Sequence, residues 1–281
     1  MGNRNIRKYS RKLVYSTPYF LTTKQAKVIN VILDDKDKYN NEELMQDAIN
    51  VVPLVDKSNV NFVLKLLTDK KLKKAGFDLG ASVIISNRIA DDPEEASKCR
   101  DIFVDKFLDT KLLNENENLN KSLTGVLSET NEKNFEPRKF VMDKYKNSEE
   151  LQNSKFAQKL GSTLIFTNDN SLEVIDKVTN DEELYNNSNV VDNLPSIFQR
   201  AKNPEDMDII NKILEKEEFI NDKQTMENVP DLMRILNWNT DDAHDNRCKV
   251  LNKVLDDKNL YGNKSLMSKM PDILSDVYYD E

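Results

Sequence analysis

Glycine, proline, histidine, cysteine and tryptophan are all scarce in this chain of 281 residues. It contains 6 Gly, 8 Pro, 2 Cys, 1 His and 1 Trp. So few Gly and Pro residues supply poorly the tight turns of a β-sandwich and the glycine-rich loops of a nucleotide site. One His cannot build a multi-histidine zinc site. These absences favour helices over strands.

Long hydrophobic runs are also absent. No apolar stretch approaches the roughly 18 residues that a membrane span requires, and the first residues lack the apolar core of a secretory signal. Cys99 and Cys248 lie far apart in apolar helical stretches, which is typical of reduced, buried thiols rather than of a disulfide framework. We therefore expect a soluble, cytoplasmic protein without a transmembrane segment.

Charge is distributed unevenly along the chain. The net charge is −8, yet residues 1–33 carry seven basic residues and no acid, which leaves −15 on the remainder. Because nucleic-acid binding depends on clustered Lys and Arg, the acidic body argues against a broad nucleic-acid surface. Residues 1–17 form a basic arm, which we expect to be disordered or to dock on the acidic body.

A six-residue pattern recurs seven times along the chain. It consists of two apolar residues, usually Asn or Asp, usually Lys, an apolar residue and often Leu, and successive copies start 34, 41, 38, 33, 35 and 41 residues apart. That spacing is typical of repeats made of two helices and two connections. The copies are VINVIL from Val28, FVLKLL from Phe62, FVDKFL from Phe103, VMDKYK from Val141, VIDKVT from Val174, IINKIL from Ile209 and VLNKVL from Val250.

Each copy predicts the first helix of a hairpin, because its apolar positions share one helical stripe. Capping residues precede several of these helices, as in Asp92-Pro93 and Asn203-Pro204. Polar stretches such as Asp34–Glu43 and Asn147–Gln152 follow, as expected connecting loops or helix ends. The second helices are predicted over Met45–Val55, Leu79–Ala90, Leu119–Glu129, Phe156–Thr167, Val190–Ala201, Met226–Leu236 and Leu266–Val277.

Proline occurs at a matching place in four of the second helices. Pro195, Pro230 and Pro271 each lie 21 residues after their motif starts, and Pro53 lies 25 residues after its own. Because proline removes one backbone hydrogen bond, we expect it to begin or to kink each of these helices.

Paired helices with apolar stripes, a variable period and proline in one helix resemble the HEAT and armadillo class of α-solenoids over about residues 18–281. This resemblance implies an all-α fold, a right-handed solenoid of about seven stacked helical hairpins forming one array over 18–281. It also implies a scaffold that binds a protein or peptide along one face, with the second helices as the contact set. No catalytic motif comes with it.

Histidine is the first place to look for chemistry. His244 lies among Asp241, Asp242 and Asp245, and a histidine beside carboxylates suits a base or a metal ligand. The interpretation we favour is a solvated helix start whose acids face the helix dipole. We accordingly assign no catalytic, cofactor-binding or metal-binding residue, expect no cofactor and expect no enzyme activity.

Lysine at the fourth motif position is the most regular polar feature. In stacked helices these amines would form a spine, which is either a solvated outer face or a ladder for an acidic strand. The six residues are Lys65, Lys106, Lys144, Lys177, Lys212 and Lys253.

Three other functions stay open at this point. The basic arm, with Arg4, Arg7, Lys8, Arg11 and Lys12, suits an anionic membrane or nucleic acid. An enzyme site assembled from loops would need a pocket of converging ionisable groups. A structural repeat would associate with itself through its end faces, near Tyr278-Tyr279.

Overall fold

The computed structural model describes residues 21–57, 59–69, 92–238 and 241–277, and these residues form helices and turns without a strand. The prediction of an all-α fold is therefore confirmed for the described chain. Among these helices, none is sufficiently long and apolar to cross a membrane. The chain divides into two compact units, Met1–Phe135 and Glu136–Glu281, which are described separately. The prediction of one array over 18–281 stays a prediction.

The first unit contains three motif copies. The motif helices α1, α4 and α5 carry the first, second and third copies, and α4 packs against both α1 and α5. The described helices are α1 (Thr23–Leu33), α2 (Lys36–Tyr39), α3 (Glu42–Val51) with a 3₁₀ turn (Val52–Leu54), α4 (Val60–Thr68), α5 (Pro93–Phe107), α6 (Thr110–Glu115) and α7 (Glu117–Glu129).

The second unit contains the other four copies, on α8, α11, α14 and α17. Motif helices pack on motif helices: α11 contacts α14, and α14 contacts α17. The second helices form a corresponding series, in which α10 contacts α13, α13 contacts α16 and α16 contacts α19. The helices are α8 (Phe135–Asn147, beginning one residue before the unit), α9 (Glu149–Gln152), α10 (Leu160–Phe166, after the 3₁₀ turn Phe156–Lys159), α11 (Leu172–Asn180, after the 3₁₀ turn Asp169–Ser171), α12 (Glu182–Asn186), α13 (Ser188–Arg200), α14 (Pro204–Leu214), α15 (Glu217–Ile220), α16 (Lys223–Leu236), α17 (Asp241–Leu255), α18 (Lys258–Tyr261) and α19 (Lys264–Ser275).

The apolar stripe of each motif lies in the core, as the spacing predicts. In the sixth copy Ile209, Ile210 and Ile213 are at most 1% exposed, whereas Asn211 and Lys212 are only half-buried. Each fully buried side chain of this size contributes about 1.5–3 kcal/mol. Burial of the stripe is thus the main reason why these segments are helices at all.

Short helices lie in the stretches that the sequence predicts as connecting loops or helix ends. The stretch Asp34–Glu43 contains α2, and Asn147–Gln152 contains α9. Each of these helices begins at a side-chain cap: Asp35 accepts from the amide of Asp37, and Ser148 accepts from that of Leu151. A one-turn helix has no apolar period to reveal it, so the sequence does not predict these two separate helices.

Prolines lie inside the second helices of the second unit. Pro195, Pro230 and Pro271 occupy interior positions of α13, α16 and α19, and the first two are buried. Pro53 lies in the 3₁₀ turn that follows α3. Of the two expected positions, a helix start or a helix interior, these three prolines take the interior.

Two N-terminal caps read from the sequence, Asp92 and Asn203, are present in the structure. Asp92 accepts from the amides of Glu94 and Glu95, and Asn203 forms a capping box with Asp206. The second helix expected at Leu79–Ala90 lies outside the described residues.

Candidate functional site

A buried polar residue lies three positions before every motif copy, on the stripe that is otherwise apolar. All seven are at most 6% exposed. A polar group at such a place is costly unless it is hydrogen-bonded. The seven residues are Gln25, Asn59, Arg100, Arg138, Ser171, Asp206 and Arg247.

The three arginines of this set bind carbonyl groups at the ends of second helices. Arg100 donates to Leu127 O at 2.9 Å and Thr130 O at 3.1 Å, at the end of α7. Arg138 donates to Ile165 O at 2.7 Å in α10. Because the last carbonyls of a helix lack internal donors, a buried guanidinium satisfies them and opposes the negative end of the dipole.

Arg247 binds the ends of two second helices at once. It donates to Leu274 O at 3.0 Å in α19, to Ile235 O at 2.9 Å in α16 and to Trp238 O. In the first unit, amides play the same part: Gln25 donates to Pro53 O at 3.3 Å, and Asn59 donates to Leu54 O at 3.0 Å. In these five copies the position therefore joins a motif helix to the end of a second helix.

The lysines of the motif point to the next copy rather than to a ligand. Their third-position neighbours in that copy accept the bonds: Lys65 pairs with Asp105 at 2.6 Å, and Lys144 pairs with Asp176 at 2.5 Å. The remaining contacts of this kind are Lys177 Nζ to Asn211 O at 3.3 Å and to Glu215 at 2.7 Å, and Lys212 Nζ to Asn252 Oδ1 at 2.7 Å and to Asp256 at 3.2 Å. These four lysines therefore fit neither of the two interpretations of the lysine series, a solvated outer face or a ladder that binds an acidic strand, because each contacts the next copy.

Two lysines of the series are arranged differently. Lys106 lies 5.1 Å from the ring centroid of Phe107, in the first unit. Lys253, in the last copy, is exposed, and no ion pair joins it to a described side chain.

His244 is buried, so the expectation of a solvated helix start is wrong at this residue. It is 7% exposed, and its Nε2 lies 3.0 Å from Oδ1 of Asp206, which is fully buried. Because a carboxylate only accepts hydrogen bonds, Nε2 carries the proton of this bond. Sequence proximity suggested Asp241, Asp242 and Asp245 as neighbours, but the partner is 38 residues away.

Cys248 completes a cluster with Asp206 and His244. It lies one helical turn after His244 in α17, with Sγ 3.5 Å from Nε2, and the ligand atoms of all three residues lie within 4.8 Å of one another. Burial, followed by the charge of Asp206, raises the pKa of the Cys248 thiol to about 12. The thiol is thus protonated at neutral pH and poorly suited to nucleophilic catalysis.

Asp206 is held by three further donors. Its Oδ2 accepts from the amides of Lys202 and Asn203, at 2.8 and 3.1 Å, and from Nδ2 of Asn237 at 2.8 Å. Asn237 is the C-cap residue of α16. The carboxylate therefore joins the start of α14, the end of α16 and, through His244, the start of α17.

A basic pocket of about 430 Å³ lies at the ends of α13 and α16, next to this cluster. Arg200 and Arg234 share one carboxylate, that of Asp231, at 2.6 and 3.5 Å. Lys202 is exposed, and the only tryptophan of the chain, Trp238, is 46% exposed. The lining residues are Gln199, Arg200, Lys202, Arg234, Asn237 and Trp238.

Two further sequence predictions fall outside the described residues. These are the basic arm over residues 1–17 and the pair Tyr278-Tyr279. Cys99 and Cys248 are both buried and form no disulfide, as expected.

Comparisons with protein-family models, with curated protein sequences and with solved structures returned no match for this chain.

Proposed function

We propose that this chain is a non-catalytic helical-repeat scaffold that binds an acidic segment of another protein at the basic pocket. Its architecture in this proposal is a right-handed α-solenoid of about seven units, similar to the HEAT and armadillo class. The recurrence of motif helix, buried polar residue and lysine contact supports that arrangement. The buried polar residues mostly join the two helices of one copy, and the lysines join one copy to the next.

The observation that carries the binding proposal is the charge of the pocket. Three cations, Arg200, Lys202 and Arg234, line the pocket, and Asp231 pairs with the two arginines. The chain after residue 33 carries a net charge of −15. A local positive site on an acidic protein attracts an acidic ligand and repels basic ones. Guanidinium groups also match the geometry of carboxylates.

Trp238 gives this pocket an apolar surface to bury. Tryptophan and arginine are the residue types that most often dominate the energy of protein interfaces. With nearly half of its surface exposed, Trp238 offers area to an incoming side chain while its neighbours offer charge. The expected ligand is a short segment that carries Asp or Glu beside an apolar or aromatic residue.

The position of the pocket agrees with the prediction that second helices form the contact set. Arg200 ends α13 and Arg234 lies in the last turn of α16, and these two helices pack against each other. The motif lysines, by contrast, are engaged between copies. We therefore place the contact on the second helices and leave the lysines a structural role.

Trp238 fluorescence tests this proposal directly, since the chain has no other tryptophan. The probes are tryptophan-free 12-residue peptides in which Glu and Asp alternate with Leu and Phe, and matched peptides with Gln and Asn. We expect the acidic set to change the emission saturably and the neutral set to bind at least about tenfold more weakly, a difference of about 1.4 kcal/mol.

Variants decide whether the pocket is the place of binding. Lys202→Ala and Arg234→Ala should each weaken binding several-fold and lower its salt dependence, whereas Lys249→Ala, an exposed lysine of α17 outside the pocket, should not. Equal binding of acidic and neutral peptides, or unchanged affinity in both pocket variants, would refute the proposal.

A further inference from the structure

Asp206, His244 and Cys248 form a set of donor atoms that no described contact fully explains. All three residues are at most 7% exposed, and an oxygen, a nitrogen and a sulfur atom face one another in the second unit. Helix capping accounts for Oδ2 of Asp206, but not for Cys248, whose Sγ lies 3.5 Å from His244 Nε2.

We propose that this cluster binds one Zn²⁺ ion through Asp206 Oδ1, His244 Nε2 and Cys248 Sγ. Zinc bonds of about 2.0–2.1 Å to N or O and about 2.3 Å to S place tetrahedral ligands about 3.3 Å (N to O) and about 3.5 Å (N to S) apart. The corresponding separations are 3.0 and 3.5 Å. Of these two, only the first must widen, by a few tenths of an ångström. The oxygen and sulfur atoms lie within 4.8 Å of each other and must approach to about 3.5 Å if they now lie farther apart.

The local backbone brings the three ligands together. His244 and Cys248 are four residues apart on α17, so they share one face of that helix. Asp206 lies in the first turn of α14, which packs against α17. The ligands thus come from two packed helices, whose rigidity favours a fixed site.

Neighbouring groups orient the ligands as they do in metal proteins. Oδ2 of Asp206 is fixed by Lys202 N, Asn203 N and Asn237 Nδ2, which leaves Oδ1 for the ion. Nδ1 of His244 faces Oδ1 of Asp245 at 3.6 Å. A ligating histidine commonly donates its second N–H to a carboxylate, and Asp245 needs to approach Nδ1 by a few tenths of an ångström to accept it.

The donor set selects the class of ion. A thiolate excludes Ca²⁺ and Mg²⁺ as preferred ions, and one imidazole, one carboxylate and one thiolate together suit zinc. Three protein ligands leave the fourth position to water.

Binding is balanced by the release of one proton. The thiol of Cys248 loses its proton to solvent when sulfur bonds the ion. The proton on His244 Nε2 leaves that atom, and Nδ1 takes up a proton that Asp245 can accept in a hydrogen bond. No electron is transferred, and the charge of the site rises by one for each ion bound.

Cobalt substitution tests the site without any knowledge of function. The full chain, freed of metal with a chelator, is titrated with Co²⁺ and then with Zn²⁺. We expect one Co²⁺ per chain, a thiolate-to-cobalt absorption band in the near ultraviolet, its displacement by Zn²⁺ and release of about one proton per ion in weakly buffered solution.

Paired variants identify the ligands. Cys248→Ser should abolish the band, whereas Cys99→Ser, which changes the other buried cysteine, should keep it. Asp245→Asn, at an exposed carboxylate, should weaken affinity by about 10- to 100-fold, and His244→Gln should weaken it further. Circular dichroism of each metal-free variant shows whether it folds.

Three results would overturn the proposal. They are the absence of a thiolate band in the wild-type chain, a band that persists in Cys248→Ser, and Zn²⁺ binding that Asp245→Asn and His244→Gln leave unchanged.

Discussion

The amine of Lys177 lies 2.7 Å from a carboxylate oxygen of Glu215, the residue directly after the following motif copy. This contact lowers the pKa of Glu215, chiefly through the hydrogen bond from Lys177. Lys65, Lys144 and Lys212 make the corresponding contact to their own next copies. The lysines at the fourth motif position, which the sequence suggested as a continuous spine of charge, therefore form separate pairwise contacts between successive copies.

The joint between Lys177 and Glu215 should contribute modestly to stability. Both side chains are partly exposed, so their coupling energy should be about 0.2–1 kcal/mol in the free energy of unfolding and should fall with added salt. A double-mutant cycle with Lys177→Met and Glu215→Gln, measured by urea unfolding at low and high salt, checks this. Lys253→Met, at a lysine of the same motif position, serves as the control and should change stability less. Zero coupling at low salt would contradict the assignment.

Replacing Arg247 should destabilise the second unit far more. The side chain is fully buried and donates to carbonyls of two second helices, so Arg247→Met leaves those carbonyls without their donor. We expect a loss of about 2–4 kcal/mol in the free energy of unfolding. Urea unfolding measures it, with Lys249→Met, an exposed residue two positions later in α17, as the control. Similar stabilities for the two variants would show that the carbonyls find other donors.

Asp222 should make stability depend on pH in the acid range. The hydrogen bond from Lys264, together with those from the amide and hydroxyl of Thr225, lowers the pKa of Asp222 from 3.8 to about 2. Its contribution is thus fully present above about pH 4 and is lost as the pH falls toward 2. The difference in free energy of unfolding between wild type and Asp222→Asn, which keeps the helix cap but not the charge, should shrink over that window.

A second substitution at the same residue separates the cap from the charge. Asp222→Ala also removes the cap of α16, so it should cost about a further 1 kcal/mol at every pH. If the free energy of unfolding depends on pH in the same way for wild type and Asp222→Asn, the ion pair between Asp222 and Lys264 does not cause the pH dependence.

Cys248 should react slowly with alkylating reagents in the folded chain. Its thiol is protonated and only 7% exposed. Alkylation requires an accessible thiolate, so both conditions slow the reaction. In a Cys99→Ser background, labelling by iodoacetamide at pH 8 should require local opening and should accelerate by orders of magnitude in urea. Labelling at the rate of a free thiol would show that the cluster is open in solution.

Much of the helical pattern was predictable because it depends on local periodicity. All seven motif copies lie on helices, and Asp92 and Asn203 cap them as read from the sequence. The helices α2 and α9 were missed because four residues cannot display an apolar stripe. Their caps, Asp35 and Ser148, were the available signal.

The candidate site was harder to predict because its contacts join distant residues. His244 was assigned to its sequence neighbours, whereas Asp206 contacts it from 38 residues away. One local signal did exist: Asp206 lies three positions before the sixth motif, on the apolar stripe, where Arg100 and Arg138 stand in other copies. A polar residue at the same position of every copy indicates that each copy supplies it with a buried hydrogen-bond partner. The sequence does not identify that partner.

The reach of the joints has a mechanical consequence. Among the described residues of the second unit, no lysine contact between copies spans more than 44 residues, so these contacts join each copy only to its nearest neighbours. Under tension, such a unit yields copy by copy, and each release of 33 to 41 residues adds about 120–140 Å of slack chain. We therefore expect the least stable copy of the Glu136–Glu281 unit to set the force at which the unit first lengthens.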